Sequence, residues 1–153
     1  MSASASSDAR GVGTADGELA SVGTGPGMER VGYQYVVLRC VPRVEREEFL
    51  NVGVVLYSQR RDFLDAAFRL DPARLTAFAP GLDQEHVRAA LDTVCAICRG
   101  ETRPGLPVLV KLGARFGWLT APRSTVVQPG PVHGGLTDDP AAELVRLLDQ
   151  LVG

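Results

Sequence analysis

Cysteine is scarce in this chain: Cys40, Cys95 and Cys98 are the only three. So small and odd a set does not build the disulfide framework of a secreted mini-domain. Cys95 and Cys98 also lack a second cysteine pair, or a spaced histidine pair, with which to close a tetrahedral metal site. An excess of either charge is missing as well. Sixteen Lys and Arg face eighteen Asp and Glu, a formal net charge of −2, so no strong field draws in nucleic acid or an anionic membrane. The longest apolar run, Val52 to Tyr57, is strand-sized against the ~18 residues that cross a bilayer. There is no Gly-rich phosphate loop, nucleotide fingerprint or Gly-x-Ser-x-Gly elbow. What is present, 45% hydrophobic and 22% charged residues, points to a soluble cytoplasmic globular domain.

Residues 2 to 27 are mostly Ser, Ala, Gly, Thr and Asp. Such a segment buries too little apolar surface to offset its ordering entropy. It lacks the apolar h-region of a secretory signal. Residues 1–30 therefore read as a disordered tail, or as an extension upstream of a true start at Met28. Residues 31–153 carry fourteen charges of each sign and are expected to form one globular domain.

Val31 to Val41 reads as a central strand, apolar on both faces except at Arg39. Phe49 to Ser58 and Phe63 to Leu70 read as further strands, joined closely enough to form an antiparallel meander. Asp71-Pro72, Asp83 and Asp139-Pro140 are helix starts, with Asp able to cap free amides. The helix after Asp83 shows an apolar stripe of Val87, Leu91, Val94, Cys95 and Cys98 and stops at Gly100. Glu101 to Gly117 is ambiguous: Pro104, Pro107 and three glycines argue for loop, with a short apolar piece at Val108 to Leu112. Trp118–Thr120 and Ser124–Gln128 read as short strands, and Pro129–Gly135 as a turn-rich loop. The expectation is an α+β domain: an antiparallel sheet of about five strands with helices packed against it.

Two long motifs resemble a known family. One is Tyr33-Gln34-Tyr35-Val36-Val37-Leu38-Arg39-Cys40-Val41-Pro42 with Glu47-Glu48-Phe49-Leu50-Asn51-Val52-Gly53-Val54-Val55-Leu56. The other is Arg115-Phe116-Gly117-Trp118-Leu119 leading to Ala121-Pro122-Arg123-Ser124-Thr125-Val126-Val127-Gln128, followed by His133 and Asp139-Pro140. Over Tyr33 to Val152 the chain is similar to a bacterial family known as domain of unknown function 3037. The resemblance implies a small cytosolic protein with no assigned catalytic or binding residue. It also implies a kinase partner, because some members are encoded beside kinases resembling the HipA toxin kinases. Gly117 departs from the family pattern, so no role is placed there.

The residues themselves nominate a site. Arg39 and Asn51 are out of place in otherwise buried strands; an unpaired buried Arg is costly, so Arg39 is expected to meet Glu47 or Glu48. Asn51 followed by Gly53 marks a bulge. Arg123, with Ser124 and Thr125, has the chemistry to hold a phosphate or carboxylate. Ser124 as a nucleophile would need a distant base, and His133, in a Pro- and Gly-rich loop, is the candidate general acid or base. Trp118 is a candidate stacking surface. Each has a plainer reading: a polar network fixing strand register, a loop-bracing histidine, a core tryptophan. Both readings expect Arg39, Asn51, Arg123 and His133 to become neighbours, with Glu48 beside them. Cys95 and Cys98, three apart on a buried stripe, read as core. No cofactor or metal is expected. The leading reading is a non-enzymatic interaction or accessory protein with a HipA-like kinase as partner. The alternative is a small enzyme or ligand-binding domain that acts on an anionic substrate through Arg39, Arg123 and His133.

Overall fold

Val, Tyr and Leu dominate Val31–Cys40, and this segment is the central strand β1 of the computed structural model, which describes residues 29–153. The expected tail, apart from Glu29 and Arg30, and the alternative start at Met28 lie outside the described residues. Strands β2 (Leu50–Ser58) and β3 (Phe63–Phe68) follow antiparallel, in the expected meander. Asp62 closes the β2–β3 turn at φ 53°, a left-handed conformation that a short Asp side chain tolerates. On the far edge of β1, β4 (Val127–Pro129) pairs with Leu38–Cys40 and β5 (His133–Thr137) with Val31–Tyr35. The five antiparallel strands give the expected α+β architecture.

Helices α1 (Pro72–Phe78), α2 (Gln84–Arg99) and α4 (Pro140–Leu151) begin where the Asp signals place them. Asp71, Asp83 and Asp139 accept the amides of Ala73, His86 and Ala142 at 3.1–3.2 Å. Gly100, at φ 78°, ends α2. One sheet face sends Val36, Leu38, Cys40 and Val55 into a core with Leu75, Val87, Leu91 and Phe116. The other sends Val54, Leu56 and Ala67 against Leu144, Leu147 and Leu148 of α4. Cys95 and Cys98 are free and buried, as the stripe predicts, and Cys40 is free and buried in β1. Desolvation pushes the Cys95 thiol up to about 12 and the Cys98 thiol well above its ordinary value, the signature of inert core thiols.

Two elements differ from expectation. Leu112–Thr120 is a helix, α3, not loop followed by a strand at Trp118–Thr120. Its Phe116 and Leu119 are buried, and Leu112 continues the stripe at i, i+4, i+7. Gly113 leaves room for a tyrosine: a Cβ there would stand 3.0 Å from Tyr57 Oη, and the Tyr57 ring stacks on Phe116 at 5.2 Å. His133–Thr137 is likewise a strand, not part of a loop. The glycines that argue against a strand admit the Tyr33 ring, whose Oη would lie 2.6 Å from a Cβ on Gly135. The strand expected at Ser124–Gln128 is shorter and later, at Val127–Pro129.

The β1–β2 ladder holds the expected bulge. Leu38 pairs with Gly53 and Arg39 with Asn51, leaving Val52 over. Gly53 lies where a Cβ would meet the Ala67 carbonyl oxygen at 2.8 Å and Phe68 Cβ at 3.1 Å. Gly53→Ala is therefore expected to destabilise the fold by about 1–3 kcal/mol through overpacking. Gly32→Ala, with nothing within 4 Å of the new methyl, serves as the near-neutral control. Urea unfolding midpoints of the two variants check this.

Candidate functional site

Strand periodicity turns alternate residues of β1 to opposite faces. Val36, Leu38 and Cys40 enter the α2 side, while Tyr33, Tyr35, Val37 and Arg39 face the α4 side. Helix α4 packs on β2 and β3 and meets β1 at Tyr33, whose hydroxyl donates to Glu143 Oε2 at 2.5 Å. Tyr35 borders the same cluster as α4, and the rest of that face is only partly covered by the described residues. Tyr35, Val37, Arg39 and Gln128 are half-buried, Phe49 is 44% exposed, and His133 is exposed. The result is a shallow shelf of aromatic, aliphatic and cationic side chains.

Arg39 lies at one end of this shelf. Its guanidinium carbon sits 4.0 Å from the centroid of the Phe49 ring. On Gly130 a Cβ would stand 3.1 Å from the same carbon and from Nε. The flat cation is thus held against an aromatic ring and a side-chain-free backbone. Gly130 is placed there by a second irregularity, in which residues 130–132 oppose only Val36 and Val37 and the Gly130 amide donates to the Val37 carbonyl at 2.8 Å. Neither expected partner pairs with Arg39. Glu48 takes Arg46 in a bidentate pair at 2.8 and 3.2 Å, and Glu47 adopts φ 55° at the end of a 3-10 turn. Among the described residues, no acid pairs with Arg39, and its Nε is a buried donor without an acceptor.

Asn51 is the cross-strand neighbour of Arg39, but its amide donates to the Leu151 carbonyl at 3.2 Å. It ties down the end of α4, where Arg74 also donates to the Val152 carbonyl at 2.9 Å. His133 pairs with Tyr35 across the β1–β5 ladder, with ring centroids 5.2 Å apart. It shares the shelf with Arg39, four residues or roughly 13 Å along the strand.

Arg123, Ser124 and Trp118 do not join them. Trp118 packs with the α2-side core. Arg123 stacks on Trp118 at 4.2 Å and donates to the Trp118 and Ala121 carbonyls, closing the C-terminus of α3. Ser124 is exposed and has no hydrogen-bonded base. No hydrogen bond, ion pair or ring contact links Arg123 to Arg39, Asn51 or His133. The expected five-residue cleft is thus divided by the sheet, because the strand before Arg123 is replaced by a helix end that occupies its guanidinium. Phe49, Gly130 and the Tyr33–Glu143–Arg146 group are additions that no local sequence signal marks; they follow from strand register. No group of three or more metal-ligating side chains occurs among the described residues.

A separate groove of about 630 Å³ lies between the 3-10 turn and the α1–α2 loop, lined by Pro42, Arg43, Arg46, Phe78, Leu82 and Asp83, with Glu48 at its edge. Its two guanidiniums are already paired with Glu45 and Glu48.

The model of a family described as a protein of unknown function, DUF3037, matches residues 35–152. No curated protein and no solved structure matches. Among the described residues, no helix is long and apolar enough to cross a membrane.

These contacts can be tested at two side chains. Trp118 is the chain's single tryptophan, so Arg123→Ala should red-shift its fluorescence and lower stability by roughly 1–3 kcal/mol through the loss of charged hydrogen bonds. Tyr33 supplies the other test. Burial, then the Glu143 hydrogen bond, push its hydroxyl from 10.0 up to about 12. The folded chain therefore keeps a proton that the unfolded chain releases. This stabilisation is complete below pH 10 and is lost as pH climbs toward 12. Tyr33→Phe should flatten the fall in urea midpoint across that window, and an unchanged slope contradicts the assignment.

Proposed function

Since this chain belongs to the DUF3037 family of proteins of unknown function, and since part of one sheet face is only partly covered by the described residues, we propose that it is a non-enzymatic interaction protein that docks a partner on that shelf. What carries the reading is the coverage of the sheet: α4 spans β2 and β3 and leaves Tyr35, Val37 and Arg39 half-buried and Phe49 exposed. Aromatic and Arg side chains on a rigid backbone are the residue types that dominate binding energy at protein interfaces. Such a surface needs no shared cleft. The alternative, an enzyme or ligand-binding domain using Arg39, Arg123 and His133 together, does need one, and Arg123 is engaged on the other side of the sheet. The shelf is also the better candidate than the 630 Å³ groove, where each arginine is already matched by a neighbouring carboxylate.

The partner class is a kinase of the HipA-like type, and the cytoplasm is the compartment where the two would meet. Nucleic acid and membrane are not proposed as partners, given the formal net charge of −2. The test is calorimetric titration of the full chain with a HipA-like kinase encoded beside a family member. Tyr35→Ala is expected to weaken association by about thirtyfold, as for an interface hot spot, with circular dichroism confirming the fold. Val44→Ala, exposed on the 3-10 turn, should leave it unchanged. Loss of binding in Val44→Ala with retention in Tyr35→Ala would move the interface off the shelf.

A further inference from the structure

The described arginines are nearly all matched. Arg43, Arg46, Arg69, Arg99, Arg103 and Arg146 pair with carboxylates. Others, such as Arg61, Arg74 and Arg115, donate to backbone carbonyls. Arg39 and Arg88 have neither; Arg88 lies over the Phe68 ring at 5.9 Å, whereas the Arg39 Nε is the one buried side-chain polar atom without a partner among the described residues. A stranded donor of this kind calls for an explanation. The acids of α4 offer none: Glu143 is held by Tyr33 and Arg146, and Asp149 by Arg69. The strand residues nearest Arg39 on this face, Tyr35, Val37, Asn51, Gln128 and His133, include no acid.

We infer that Arg39 is an anchor for a carboxylate carried by an acidic side chain of the docked partner. This rests on the docking reading above and names its chemistry. Phe49 and Gly130 hold the guanidinium in place, so its terminal Nη donors, which are not sealed as Nε is, are oriented before a ligand arrives and little rotamer entropy is lost on binding. A planar carboxylate matches those donors through paired N–H···O bonds. Tyr35 and Val37 lie on the same face of the strand, so apolar side chains flanking the partner's acid have a surface to cover.

The probe is a short peptide of alternating leucine and glutamate, compared with its leucine–glutamine counterpart and with inorganic phosphate. Each is titrated into the isotopically labelled full chain while the Arg39 Nε–Hε resonance is followed by NMR. The glutamate peptide is expected to shift that resonance and the amides of Val37 and Gln128. Binding should be at least about tenfold weaker for the glutamine peptide and for Arg39→Gln, and intermediate for Arg39→Lys, which keeps charge but not the fork. Comparing the two peptides on the native chain decides between the outcomes even if Arg39→Gln does not fold. Equal response to both peptides, an unaffected Arg39→Gln, or phosphate shifting Arg39 as strongly as the glutamate peptide overturns the inference. Kinase association abolished by Tyr35→Ala but indifferent to Arg39→Gln would keep the docking surface and remove the carboxylate anchor. A glutamate-specific, Arg39-dependent response with no kinase association would do the reverse.

Discussion

One extra residue in β2 decides what faces where. A strand register that slips by one sends every side chain beyond it to the opposite face. Without the bulge, Asn51 would oppose Cys40, inside the apolar core on the α2 side, and Val52 would oppose Arg39. With Val52 left over, Val52 and Gly53 both belong to the packed side, and Asn51 passes to the α4 side beside Arg39. There its amide finds the Leu151 carbonyl, so a polar group that would be stranded in one register becomes the tether of the last helix in the other. The bulge thus makes the strand sequence compatible with two dry cores and fixes where α4 ends.

That placement of α4 also leaves part of its own sheet face bare. The helix is fastened at its start by Glu143 to Tyr33 and at its end by Asn51 and Arg74. Between these points it lies along β2 and β3, so β1 is covered mainly where Tyr33 meets it. The uncovered remainder is not a plain polar surface. It carries two aromatic rings, a valine and a cation with no counter-charge among the described residues. Pairing Arg39 with Glu48 would have neutralised it, yet Glu48 is committed to Arg46 within a short charged connection.

The parts of the fold legible in the sequence are those governed by short-range physics. Asp at three helix starts, Gly100 at a helix end, the stripe of α2 and the tight meander need only neighbouring residues, and all are present in the fold. The discomfort of Arg39 and Asn51 in apolar strands is legible too, and so is the bulge. Their partners are not, because the Leu151 carbonyl is a hundred residues from Asn51 and the Phe49 ring reaches Arg39 through strand pairing. Helix α3 and strand β5 escape a local reading for one shared reason. Their glycines argue locally for loop, but each accommodates a tyrosine from the sheet, Tyr57 over Gly113 and Tyr33 over Gly135. Tertiary packing outweighs a local propensity of about 1 kcal/mol.

Those glycines bear on function as well. A Gly-rich segment is easily taken for backbone cleared to receive a ligand, and Gly130 to Gly135 invites that idea. In the folded chain, side chains of this protein fill the cleared space at two of these positions: Tyr33 over Gly135 and Arg39 over Gly130, as Arg115 does at Gly100. The occupants differ in one respect. Tyr33 ends on Glu143, and Arg115 ends on the carbonyls of Leu109 and Val110. Arg39 is held equally close yet ends on no acceptor among the described residues, with one donor sealed from water. A cation fixed by stacking and left without an acceptor stabilises its own fold poorly, because the desolvation of Nε is uncompensated. The same rigidity is an advantage for an external acceptor, which would meet the terminal Nη groups, outside the sealed Nε, already oriented. The glycine beneath Arg39 therefore serves recognition by positioning a side chain, not by opening the backbone to a ligand.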